Sequence, residues 1–121
     1  MKLVGELVPY LMGCRLEDNI YTSKDFMELW DLCAQFSLTV SVHTGTAEEC
    51  LRIARTFKGL NLVMAHPSYG NEYMSRLDAV CSCDNLYLDL SGTGIAAYGM
   101  LRYGVDTVGR EKLIFGTDFP I

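Results

Sequence analysis

The chain has 121 residues and a net charge of −5, and half its residues are hydrophobic; this composition excludes disorder and suits one domain, residues 1–121, of the usual ~100–150 residues. The acidic balance, with a pI near 4.8, argues against nucleic acid as a partner, because a phosphate backbone needs clustered Lys and Arg. No apolar run approaches the ~20 residues of a membrane span and no secretory-type start opens the chain, so no membrane partner and a cytoplasmic location are expected.

Five short β-rich runs, residues 2–7, 38–43, 61–66, 86–91 and 112–117, alternate with amphipathic stretches of period near 3.6. After the first run comes a long loop, residues 9–22, expected to lie over the strand ends, with Tyr10, Leu11, Met12 and Tyr21 either as apolar walls or as anchors onto a helix. Phe26, Leu29, Trp30 and Cys33 then share one face of a first helix. The second run is followed by Thr46-Ala47-Glu48-Glu49, a capping box that opens a helix with Cys50, Leu51, Ala54 and Phe57 on one face. Met74, Leu77 and Cys81 mark a third helix, and Tyr98, Leu101 and Val105 a fourth, which Gly109 is placed to stop.

Strands such as Leu62-Val63-Met64-Ala65 are continuously apolar, as in a parallel sheet covered by helices. Strand–helix alternation of this kind builds right-handed βαβ units. Five units make either part of a (β/α)₈ barrel, which takes about 250 residues, or a five-stranded doubly wound open sheet. Composition leaves both open. The five cysteines are odd in number and form no CxxC pair, which fits a reducing compartment. Cys33, Cys50 and Cys81 fall at apolar helix positions and are expected to be buried thiols. The pair Cys81 and Cys83 lacks a second pair to complete a tetrahedral metal set.

Polar groups collect where the strands run out: Glu6, His43, His66, Ser91 and Asp118. The C-terminal edge of a parallel sheet is where ligands bind, so topology brings these groups together. Two imidazoles and a carboxylate form a ligand set for a catalytic divalent metal that keeps a position open for water. Such a metal makes water more acidic, and a carboxylate beside it serves as general base. Asp118 also has a plainer reading as a turn residue in Gly116-Thr117-Asp118-Phe119-Pro120. A competing motif is Gly92-Thr93-Gly94-Ile95-Ala96-Ala97 between a strand and a helix, with an acidic residue about 20 positions on, as in a dinucleotide fingerprint.

In order along the chain stand Val4-Gly5-Glu6-Leu7-Val8-Pro9-Tyr10, Val42-His43, Ala65-His66, Tyr87-Leu88-Asp89-Leu90-Ser91 and Lys112-Leu113-Ile114-Phe115-Gly116-Thr117-Asp118-Phe119-Pro120. Together they resemble the second half of a TIM-barrel metal-dependent hydrolase of the amidohydrolase superfamily, of the amidohydrolase-related type. The resemblance implies strands four to eight of that barrel. It also implies cleavage of a C–N or C–O bond, or decarboxylation, in a small molecule. By the same resemblance His43 is the fifth-strand metal ligand and His66 the sixth-strand histidine, a ligand or a contact to substrate or water. Asp118 becomes the eighth-strand aspartate, metal ligand and general base, and Glu6 a further metal or substrate contact. The implied cofactor is a divalent metal, zinc first, with manganese or nickel as alternatives.

The family's first-strand His-x-His has no counterpart here, since His43 and His66 are the only histidines, and Ala65-His66-Pro67-Ser68 replaces the family's more usual His-x-Gly. The alternatives are a nucleotide-binding module using the Gly92 loop and a catalytically silent fragment. Five of eight units cannot close a barrel, which predicts unpaired outer strands, an exposed apolar inner face, and a homo-oligomer or a longer chain.

Overall fold

The computed structural model describes residues 3–9, 13, 20–43 and 46–119. Five parallel strands, β1 (Leu3–Leu7), β2 (Thr39–His43), β3 (Asn61–Ala65), β4 (Leu86–Asp89) and β5 (Leu113–Ile114), form one sheet. Between them run α1 (Lys24–Gln35), α2 (Ala47–Thr56), α3 (Gly70–Cys81) and α4 (Met100–Val108), with short 3₁₀ turns at Ile20–Thr22 and Arg110–Lys112. None of the described helices is long and apolar enough to cross a membrane.

The strands are ordered in the sheet as they are in the chain. With right-handed crossovers, an order that never reverses deposits every helix on the same face of the sheet. A doubly wound sheet requires a reversal of order. The doubly wound alternative is therefore excluded, and the sheet is a segment of a TIM-type barrel wall.

Alternation within the strands builds the core. Val40 and Val42, Leu62 and Met64, Leu86 and Leu88 all face the helices and are fully buried. They meet Trp30, Cys33, Cys50, Ile53, Ala54, Leu77 and Val80 from α1, α2 and α3. Each of the buried Val, Leu, Ile and Met side chains contributes about 1.5–3 kcal/mol. Thr46 caps α2 as expected, its Oγ1 accepting from the Glu49 N–H at 3.2 Å. Gly109 ends α4 with φ of 82°.

Several expectations require correction. The inner face is not a uniformly apolar surface: register places Thr39, Ser41, His43, Asn61, Tyr87 and Asp89 there beside Val63 and Ala65. Cys81 is exposed, whereas Cys83, two residues further on, is buried. Met74, Tyr98, Leu101 and Val105 are exposed too, because nothing among the described residues packs on that side of α3 and α4. Of α4 only Gly104 is buried, where the hydroxyl of Tyr73 fills the space a side chain would need.

Candidate metal centre

The strand ends bring Glu6, His43 and His66 together, each by a different local device. His43 is the simple case, since alternation along β2 puts Thr39, Ser41 and His43 on the inner face. Glu6 depends on a bulge: Val4 pairs with Val40 but Leu7 pairs with Val42, so Gly5 and Glu6 both stand opposite Ser41. The extra residue re-aims the strand end toward the inner face. Gly5 fits there because a Cβ would run into the Ser41 carbonyl, and its φ of 110° suits glycine.

His66 needs a turn. Continued alternation would put residue 66 beside Met64, on the helix face. Instead His66 adopts φ of 64°, which swings its ring back over the strand ends. Ser68 and Asp118 share this left-handed conformation, with φ of 63° and 60°. Non-glycine residues of this kind cluster at functional sites, where surrounding contacts hold the strain. The holding contacts are visible. Arg76, buried on α3, donates from one guanidinium nitrogen to the carbonyls of Ala65 and His66, both at 2.9 Å. Its Nε bonds Glu72 at 3.1 Å. On the other flank the buried Tyr21 hydroxyl lies 2.7 Å from the carbonyls of both Leu7 and His43, tying β1 to β2 just where Glu6 and His43 project.

In the resulting cluster, His43 Nδ1 is 2.8 Å from Glu6 Oε1, and His66 Nε2 is 3.5 Å from the same oxygen. The two imidazole rings are 4.9 Å apart and nearly edge-on. One ligand atom from each of Glu6, His43 and His66 falls within 4.8 Å of the other two. Ligands at about 2.0–2.1 Å around a tetrahedral zinc stand roughly 3.3–3.5 Å apart. The His66–Glu6 spacing already matches this, and the shorter His43–Glu6 spacing is that of a hydrogen bond whose proton a cation would displace. Two imidazoles and a carboxylate are also the right donor chemistry. The residues fit a divalent metal.

Asp118 meets this cluster from the far side of His66, its Oδ2 4.0 Å from His66 Nδ1. Of the residues expected at the site, then, Glu6, His43 and His66 converge as a ligand group, and Asp118 borders it. Gly92 explains how they fit: a Cβ on it would stand 2.6 Å from His66 Nδ1 and 2.7 Å from Asp118 Oδ2. Gly94 likewise packs against the Ser68 carbonyl. The glycine run opens no helix, since turns continue to Gly99 and α4 starts at Met100; the context of a dinucleotide fingerprint is missing. Ser91, buried at the end of β4's path, presents its carbonyl to His66 Nδ1 at 3.1 Å.

Among the other expected site residues, Tyr21 packs against Phe26 and Trp30 as an anchor rather than lining a wall. Tyr10, Leu11, Met12 and Cys14 lie outside the described residues. Arg76 and Asp89 were not legible as site residues. Arg76 pairs with Glu72 at the i,i+4 spacing of an ordinary solvent-exposed ion pair. Asp89 falls inside a run expected to continue to residue 91, whereas β4 ends at Asp89 itself.

The amidohydrolase family model matches residues 13–121. No curated protein matches the chain. Among similar solved structures, amidohydrolase 2 from Bifidobacterium longum subsp. infantis is 18% identical with a TM-score of 0.67, over 84% of this chain and 43% of its own. An amidohydrolase from Burkholderia multivorans with bound HEPES is 16% identical with a TM-score of 0.61, over 84% of this chain and 45% of its own. A dihydroxybenzoic acid decarboxylase from Polaromonas sp. JS666, with bound manganese and an inhibitor, is 14% identical with a TM-score of 0.57, over 83% of this chain and 45% of its own. This chain thus spans less than half the length of these proteins. At such identities the likeness speaks for the fold, which agrees with the strand order reached above. With the family model covering nearly all of the chain, the barrel segment described here belongs to the amidohydrolase family.

Proposed function

We propose that the chain supplies one half of the active site of a metal-dependent hydrolase or lyase acting on a small molecule, with Glu6, His43 and His66 as metal ligands. The observation that carries this reading is the approach of three ligand atoms within 4.8 Å of one another at the C-terminal ends of β1, β2 and β3. Zinc is the ion proposed, with manganese or nickel as substitutes. Bound there, a divalent cation supplies Lewis acidity and makes water more acidic. The chain's own groups do the rest. Glu6 and the two imidazoles hold and orient the ion, while Asp118 at the rim accepts the proton of the attacking water or contributes a further ligand. In the hydrolytic version the water oxygen bonds the carbon as its C–N or C–O bond breaks and the leaving group takes a proton. In the lyase version the C–C bond to a carboxylate breaks, carbon dioxide leaves and the carbon takes a proton in its place.

The partner reading follows from the edges. Among the described residues, β1 and β5 each have a neighbour on one side only, and Leu3, Phe115 and Phe119 are exposed. Open edges recruit strands. We propose that these edges are completed by a second copy or by further barrel units. Sedimentation should therefore give a mass above the 13.5 kDa of one chain; a stable monomer with cooperative unfolding would refute this part.

Titration of the apo chain with Zn²⁺ or Mn²⁺ tests the site. Saturable binding of one equivalent, weakened by Glu6→Gln and abolished by His43→Ala with His66→Ala, supports the proposal. Binding indifferent to all three substitutions would overturn it.

A further inference from the structure

We propose that Asp89, by holding the Ser91 hydroxyl proton away from His66, protects the tautomer that the Ser91 carbonyl selects, in which Nδ1 carries the proton and Nε2 turns a free lone pair toward Glu6. Asp89 closes β4 on the inner face and grips Ser91 twice: Oδ1 accepts the Ser91 N–H at 2.8 Å, and Oδ2 accepts the Ser91 hydroxyl at 2.5 Å. Gly116 backs this carboxylate closely, as a Cβ there would stand 2.7 Å from Asp89 Oδ1.

A hydroxyl has one proton to give. With it committed to Asp89, the Ser91 Oγ, 3.4 Å from His66 Nδ1, can offer that ring only lone pairs. The Ser91 carbonyl, 3.1 Å from Nδ1, is an acceptor by nature. Asp118 Oδ2, at 4.0 Å, is a third acceptor. Nδ1 therefore faces acceptors alone among its described neighbours. A neutral imidazole satisfies them only as the Nδ1–H form, whose proton goes to the Ser91 carbonyl. The lone pair then lies on Nε2, 3.5 Å from Glu6 Oε1. Two electron-rich atoms facing each other across that gap create a place for a cation. Fixing the tautomer of a ligating histidine through its other nitrogen is a general device of metal sites.

Asp89 is thus a positioning residue two steps removed from the ligand group. Replacing it with asparagine puts an amide N–H₂ where the accepting oxygen was. The Ser91 hydroxyl is then free to donate to His66 Nδ1, and the proton of the ring moves to Nε2. Removing the hydroxyl as well, with Ser91→Ala, takes away the competing donor and leaves the carbonyl acceptor in place.

The inference rests on the metal-site reading only for its effect on affinity, so the deciding experiment needs no metal. Ring ¹⁵N spectra of the full chain, in chelator and above the imidazole titration range, report the tautomer directly; His43→Gln identifies the His66 signals. Nδ1–H in the parent chain, a shift toward Nε2–H in Asp89→Asn, and return to Nδ1–H in Asp89→Asn with Ser91→Ala are expected. An Nε2–H ring in the parent, an unchanged ring in Asp89→Asn, or no return in the double variant would each overturn the proposal. Ser91→Ala alone should stay Nδ1–H, and a shift to Nε2–H there would overturn the role of the carbonyl. Should Asp89→Asn not fold, Asp89→Ala, which frees the Ser91 hydroxyl likewise, should show the same shift toward Nε2–H. Zinc or manganese affinity should fall 10–100-fold in Asp89→Asn and recover in the double variant. Failure of the parent chain to bind metal would count against the metal reading and leave the tautomer result to stand on its own.

Discussion

Gly92→Ala offers a sharp test of how the site is packed, because its two effects can be separated. Gly92 has φ of 64°, and left-handed backbone costs an alanine about 1–2 kcal/mol. Its added Cβ would also stand 2.6 Å from His66 Nδ1 and 2.7 Å from Asp118 Oδ2. Favourable contacts lie at about 3.5–4.0 Å, so the two side chains must retreat by roughly 1 Å. Functional constellations tolerate about 0.5 Å. The hydrogen bond from His66 to the Ser91 carbonyl, 3.1 Å at the start, would break in the process. Gly99 is the control: its φ is 81°, yet a Cβ there meets nothing within 4 Å. Both substitutions should lower the urea midpoint, Gly92→Ala by more because it adds the clash to the backbone cost, while only Gly92→Ala should weaken zinc or manganese binding, by about 10–100-fold. Parent-like metal affinity in Gly92→Ala, or an equal loss in Gly99→Ala, would refute the reasoning.

Arg76→Met keeps most of the buried volume but strips two hydrogen bonds from the carbonyls of Ala65 and His66. It should cost about 1–3 kcal/mol by urea unfolding, and a loss near zero would mean the clamp is idle. Burial pushes the Cys50 thiol up to about 12 and raises Cys33 as well, whereas Cys81 is exposed. Iodoacetamide at mild alkaline pH should therefore label Cys81 well before Cys50 or Cys33, as read by peptide mapping, and equal rates would contradict the packing. Burial also raises the carboxyl of Glu49, whose Oε1 has no hydrogen-bond partner. The folded chain then keeps this proton at pH values where the unfolded chain has lost it, so stability falls as pH rises through and beyond the ordinary carboxyl range. Glu49→Gln removes that loss, and its stability relative to the parent should grow from acid to neutral pH; a constant difference would refute it.

The fold class was legible because continuously apolar runs such as Leu62-Val63-Met64-Ala65 alternate along the chain with helix-period stretches, the pattern of a parallel sheet covered by helices. Composition left barrel and open sheet undecided, since strand order leaves no trace in it; the motif resemblance pointed to the barrel, and the strand order agrees. Within the site, His43 obeys the alternation and was placed directly. Glu6 and His66 reach the site by breaking it, one through a bulge opposite Ser41 and the other through a left-handed turn after Ala65. The same turn ends β3 one residue before the expected boundary. Arg76 was hidden for a different reason: its i,i+4 pairing with Glu72 is common on solvent-exposed helix faces, and only the fold turns it inward onto two carbonyls. The exposed side of α4 misled in the opposite direction, because a helix amphipathic in sequence shows which face is apolar and not what covers it.

Crystals of the chain soaked in zinc and measured at the zinc edge test the central claim most directly. An anomalous peak bounded by Glu6 Oε1, His43 Nδ1 and His66 Nε2, about 2.0–2.2 Å from each, is the predicted result. A peak elsewhere on the molecule with none at the ends of β1, β2 and β3 would contradict it.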